Sequence, residues 1–118
     1  MPKPSERDKE RFRALVPDGP GIEVKPMFGN LGAFVNGNMF AGLFGSAVGV
    51  KLPEAGLAEL AKVAGSAPFG PAERPMGGYL SLPAAFVEQP DLAAPWMERA
   101  LAHVAALPAK PSKRVPKR

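Results

Sequence analysis

Cysteine is absent from this chain of 118 residues, and histidine, tryptophan and tyrosine occur once each. Without thiols there is no disulfide, no thiolate nucleophile and no cysteine-ligated metal, and His103 alone leaves only carboxylates to complete a metal site. The serines include no G-x-S-x-G elbow, so nucleophilic catalysis has no visible centre. No catalytic residue, metal ligand or cofactor is expected. Charge is missing too. Between Lys25 and Lys51 the chain reads PMFGNLGAFVNGNMFAGLFGSAVGV without one ionisable side chain, long enough in residues to span a bilayer.

That stretch is not a membrane helix. Gly29, Gly32, Gly37, Gly42, Gly45 and Gly49 interrupt it, together with Asn30, Asn36 and Asn38. Each glycine in a helix interior costs roughly 0.8–1 kcal/mol relative to alanine. Asn36-Gly37 between two apolar runs is instead a strong hairpin signal, because both residues accept positive φ. A second turn falls at Gly45-Ser46. The spacing predicts a meander of strands Leu31 to Val35, Met39 to Phe44 and Ala47 to Leu52, preceded by a strand from Ile22 to Met27.

The formal charge of +4 resembles a nucleic-acid signal until it is located. Of the 15 cations, Lys110, Lys113, Arg114, Lys117 and Arg118 lie in residues 109–118, which hold no acid, leaving 10 basic against 11 acidic residues elsewhere. The basicity belongs to a proline-broken tail, expected to be disordered, and any nucleic-acid contact is expected through that tail alone. The opening MPKPSERDKERFR has no apolar segment, so neither signal peptide nor anchor is expected, and the chain reads as cytoplasmic.

Residues 1–108 are expected to form one domain. Ser5 with Asp8 resembles a capping box, opening a helix with Phe12, Leu15 and Val16 on its buried edge. Pro53 suits the first turn of a second helix with Leu57, Leu60, Ala61 and Ala64 in one stripe. SAPFGPAERPMGG reads as an ordered loop with room for one strand, followed by a strand from Tyr79 to Leu82. Asp91 is expected to cap the longest helix, running to about Leu107 with Trp96, Ala100, Val104 and Leu107 at helical spacing. The fold class is α+β: a two-layer sandwich with an antiparallel sheet of about five strands and N-terminal, middle and C-terminal helices.

Two stretches resemble the N-terminal domain of the TfoX/Sxy proteins, a group linked to regulation of bacterial competence. The first is Lys25, Met27-Phe28-Gly29-Asn30, Ala33-Phe34-Val35-Asn36-Gly37, Met39-Phe40-Ala41 and Lys51. The second is Pro68-Phe69, Arg74, Met76, Tyr79 to Pro83, and Asp91 to Trp96. The likeness covers about residues 8 to 107 in matching order. Pro26 stands where the family has a basic residue, Asn30 where it has glycine, and the tyrosine of the Lys51 strand is absent. The helical C-terminal domain of full-length members is not part of this sequence. What the resemblance implies is the fold and a regulatory association, without an established reaction.

Two constellations are candidates for function. Lys25, Lys51 and Arg74, with Tyr79 beside them, could bind a phosphate or carboxylate if the strands brought them to one face; the plainer alternative is a set of solvated edge charges. The strand Met39 to Phe44 alternates Met39, Ala41 and Leu43 against Phe40, Gly42 and Phe44, so both faces are apolar. Something must cover the second face, which predicts a homodimer or a partner protein meeting Met39, Phe40, Leu43 and Phe44. The leading expectation is therefore a non-enzymatic regulatory or protein-interaction domain. Its rivals are a nucleic-acid accessory protein and a small anion sensor or minor enzyme.

Overall fold

The side chain of Ser5 accepts the Asp8 amide while the Asp8 carboxylate accepts the Ser5 amide, each at 3.0 Å, and this reciprocal cap opens α1 (Glu6–Leu15). Phe12 and Leu15 are the residues that α1 buries. The computed structural model describes residues 4–27, 30–70 and 77–107. After α1 come β1 (Ile22–Met27), β2 (Asn30–Val35), β3 (Asn38–Phe44), β4 (Ala47–Lys51), α2 (Glu54–Ala61), β5 (Ala67–Pro68), β6 (Tyr79–Ser81), α3 (Ala84–Glu88) and α4 (Pro90–Ala105).

The strands form one open antiparallel sheet in the order β1-β2-β3-β4-β6-β5. Asn36 and Gly37 both have positive φ, 53° and 85°, the pattern of a type I′ hairpin turn between β2 and β3. At the next turn Gly45 alone is left-handed, with φ 63°. The Asn30 side chain, buried at the start of β2, accepts the Gly45 amide at 2.8 Å and ties that turn to the neighbouring strand.

The helices lie on one face. There α4 crosses β2, β3 and β4, and the core joins Phe12 and Leu15 to Leu31, Ala33, Val35, Phe40, Ala41, Leu43, Val48 and Val50, with Ala93, Met97, Ala100 and Val104 from α4. Arg11 and Glu88 pair at 3.3 Å between α1 and α3, and Arg99 and Glu59 at 2.9 Å between α4 and α2. Each pair joins a half-buried arginine to an exposed glutamate and acts as a surface tie worth at most about 1 kcal/mol.

Several expectations are corrected in detail. The sheet has six strands, because Ala67–Pro68 adds a two-residue edge beyond β6. Pro53 is the residue before α2 rather than in its first turn. Asp91 lies inside the first turn of α4, behind Pro90, and makes no cap bond; the helix follows directly on the short α3. The buried face of α4 is Ala93, Met97, Ala100 and Val104, whereas Trp96 is half-buried and Leu107 exposed. No helix among the described residues is long and apolar enough to cross a membrane.

Candidate functional site

Strict alternation along β3 fails at one residue. Ala33 pairs with Ala41 but Phe34 pairs with Met39, which leaves Phe40 as an extra residue in β3. Such a bulge lets two successive side chains fall on one side of the sheet. Phe40 therefore joins Ala41 and Leu43 in the helix-covered core, with exposures of 0%, 0% and 3%. Of the four residues expected at an interface, Phe40 and Leu43 are internal. Met39 and Phe44 are half-buried on the opposite face.

That opposite face is built on glycine. Gly32, Gly42 and Gly49 stand in register across β2, β3 and β4, continuing to Ser81 on β6. A Cβ on Gly49 would lie within 2.3 Å of Phe69 Cγ, and one on Gly42 within 3.1 Å of Phe69 Cζ. At the β2 end a Cβ on Gly32 would meet Phe34 and the Met39 sulfur at 2.9 Å and 3.1 Å. The missing side chains open a trough, and Phe69, just past β5, lies in it, 2% exposed. Phe44 meets the Phe69 ring edge-on with centroids 6.4 Å apart, and Tyr79 lies against it at 6.1 Å. A segment of the chain itself thus covers part of the second face, without a helix.

The cations separate into two places. Lys51 Nζ sits 5.6 Å from the centroid of the Tyr79 ring, on the adjacent strand. Lys25 Nζ lies over the Phe34 ring at 5.0 Å and pairs with Glu23 at 3.3 Å. Three strand spacings of about 4.8 Å put the β1 and β4 backbones about 14 Å apart, so Lys25 and Lys51 do not form one anion pocket. Arg74 and the tail residues Lys110, Lys113, Arg114, Lys117 and Arg118 lie outside the described residues. Among the described residues no three His, Asp or Glu side chains gather as a metal site.

Tyr79 is committed structurally. Its hydroxyl donates to the Met39 carbonyl at 3.0 Å, reaching across β4 to the bulged part of β3. Burial disfavours the phenolate and pushes its pKa up to about 12. The proton of Tyr79 is thus engaged with the backbone, and the ring serves as a wall for Phe69 and a seat for Lys51. Sequence reading missed the glycine trough, although Gly32, Gly42 and Gly49 were legible as an uncharged run. Their alignment depends on strand register, which spacing along one chain does not give.

No curated protein matches the chain. A family model of the TfoX N-terminal domain matches residues 13–104, a span running from α1 through nearly all of α4. That span is well over half of the chain, and the chain belongs to the TfoX N-terminal domain family.

Proposed function

We propose that this domain is a non-catalytic protein-interaction module in a regulatory context, working through the sheet face opposite its helices. The observation that carries the reading is the composition of that face: Phe34, Met39 and Phe44 stand half-buried around the glycine trough, where a solvated sheet face would carry polar side chains. Apolar and aromatic side chains left half-exposed around a shallow depression are what protein partners bury. The sheet's edges suit this poorly. Edge strand β1 carries Glu23, Lys25 and Pro26, and the other edge is two residues ending in Pro68; charge, proline and brevity all oppose strand addition.

A catalytic role for the same face has little chemistry behind it. Tyr79 holds its proton to about pH 12, far above the range of a general base at neutral pH. The link to competence regulation follows the TfoX/Sxy resemblance and enters as part of this proposal.

The reading is tested with a photo-crosslinking residue placed at Phe34 or Met39 in the full chain, and at exposed Ala102 on α4 as control. Trapping of protein at the first two positions and not at the third is the expected outcome. Crosslinks confined to position 102, or nucleic acid trapped at the sheet positions, would replace this reading.

A further inference from the structure

One rung of the open face has a sequence of chemistry along it. Glu23 on β1 pairs with Phe34 on β2, Phe34 with Met39 on β3, and Lys51 on β4 with Tyr79 on β6. Phe34 and Lys51 each lie one residue beyond the row Ala33, Ala41, Val50, which sets them at the same height on the sheet. The rung therefore reads acid, apolar, apolar, base over about 14 Å, from three strand spacings.

This order is complementary to itself under one rotation. A twofold axis parallel to the strands, above the gap between β2 and β3, brings β1 of one copy over β4 of the other and β2 over β3. Glu23 then faces Lys51, Phe34 faces Met39, and each contact occurs twice, as an isologous interface requires. Phe69 lies within this footprint, its ring in the space that Cβ atoms on Gly49 and Gly42 would fill.

We propose that the partner of this face is a second copy of the chain, stacked sheet on sheet in a symmetric dimer held in register by Glu23 against Lys51. The proposal rests on the reading that the open face binds protein. Four strands at about 4.8 Å and three rungs with their side chains give a planar footprint on the order of 400 Å² per copy. That is smaller than the roughly 800 Å² per partner of a standard interface, so the dimer is a weak and concentration-dependent one.

The test is sedimentation equilibrium of the full chain to about 500 micromolar, a concentration that populates a dimer of that strength. Glu23→Lys and Lys51→Glu made singly each oppose like charges twice and are expected to weaken the dimer by about tenfold or more. Mixing the two variants restores both attractive pairs, so a heterodimer should re-form with near wild-type affinity. Should Lys51→Glu unfold by circular dichroism, the double variant Glu23→Cys/Lys51→Cys replaces it. In a chain with no native cysteine, and with the two positions too far apart to join within one copy, oxidation is expected to give a disulfide-linked dimer. A dimer indifferent to both reversals, or failure of the mixed pair and of the disulfide, would overturn the stack. A strictly monomeric chain whose positions 34 and 39 still crosslink to another protein would overturn the second copy while leaving the interaction reading in place.

Discussion

Replacing Gly49 by alanine tests the glycine trough directly. The new methyl would fall 2.3 Å from Phe69 Cγ and 2.4 Å from Cδ1, separations that real carbon atoms do not adopt, so the ring must leave. Phe69 is 2% exposed, and losing the burial of a phenylalanine costs about 1.5–3 kcal/mol. Relieving a strand of glycine returns about 0.5–1 kcal/mol. The expected net loss is about 0.5–2.5 kcal/mol of unfolding free energy, measured by urea denaturation followed by circular dichroism. Gly42→Ala should cost less, because its methyl meets Phe69 at 3.1 Å and 3.2 Å and the Met39 methyl at 3.3 Å, contacts that small shifts relieve. Gly77→Ala is the control, with nothing within 4 Å of its Cβ.

The decisive arm is a double-mutant cycle. Phe69→Ala alone should destabilise, by up to the roughly 3–5 kcal/mol typical of a buried phenylalanine. With Phe69 gone, Gly49→Ala should become neutral or stabilising, since the methyl enters vacated space. A coupling of at least about 1 kcal/mol is expected between the two positions. Additive costs would show that the ring does not rest on Gly49, and the account of the second face would be wrong.

Three further outcomes follow from single contacts. The one tyrosine of the chain makes a phenolate titration at 295 nm clean: ionisation should appear near pH 12 in the folded protein instead of near 10. Because the folded pKa is raised, stability should fall as pH rises from about 10 toward 12 and be insensitive to Tyr79 below that window; a midpoint at the ordinary value would contradict its burial. Asn30→Ala should cost about 1–3 kcal/mol by leaving the buried Gly45 amide without its acceptor, and a thermal midpoint equal to wild type would refute that role. Ser5→Ala should cost about 0.5–1 kcal/mol and speed amide exchange in the first turn of α1 while the exchange of β3 is unchanged.

Local chemistry made most of the elements legible. Ser5 and Asp8 marked the start of α1, Asn36-Gly37 the central hairpin and Gly45 the next turn, because each depends on a side chain or a φ value belonging to its own few residues. What the chain did not disclose was relational. The bulge at Phe40 has no sequence mark, yet it reversed the faces assigned to Phe40 and moved that residue into the core. Lys25, Lys51 and Tyr79 are all on the sheet, but only strand order shows that Lys25 is three strands from Lys51 and that Tyr79 reaches past Lys51 to Met39. The short α3 was hidden because AAFVE, between two prolines, is too brief to show helical periodicity.

The uncharged run from Pro26 to Val50 has its explanation in this two-sided burial. Helix-facing positions of β2, β3 and β4 are filled by Leu31, Ala33, Val35, Ala41, Leu43, Val48 and Val50, where an unpaired charge would be costly. Across the sheet, Gly32, Gly42 and Gly49 make the floor of the trough, where even a methyl group is crowded. A charge fits on neither side until a strand reaches the margin of the trough. Lys25 and Lys51 stand at those margins, each laying its ammonium over an aromatic ring, Phe34 and Tyr79. Within the strands, the charge gap seen in the sequence is therefore the outline of the trough, and the two lysines that bound it stand at its rims. Of the two, Lys25 shares its rim with Glu23 while Lys51 rests on Tyr79, so the two ends of the face differ in charge.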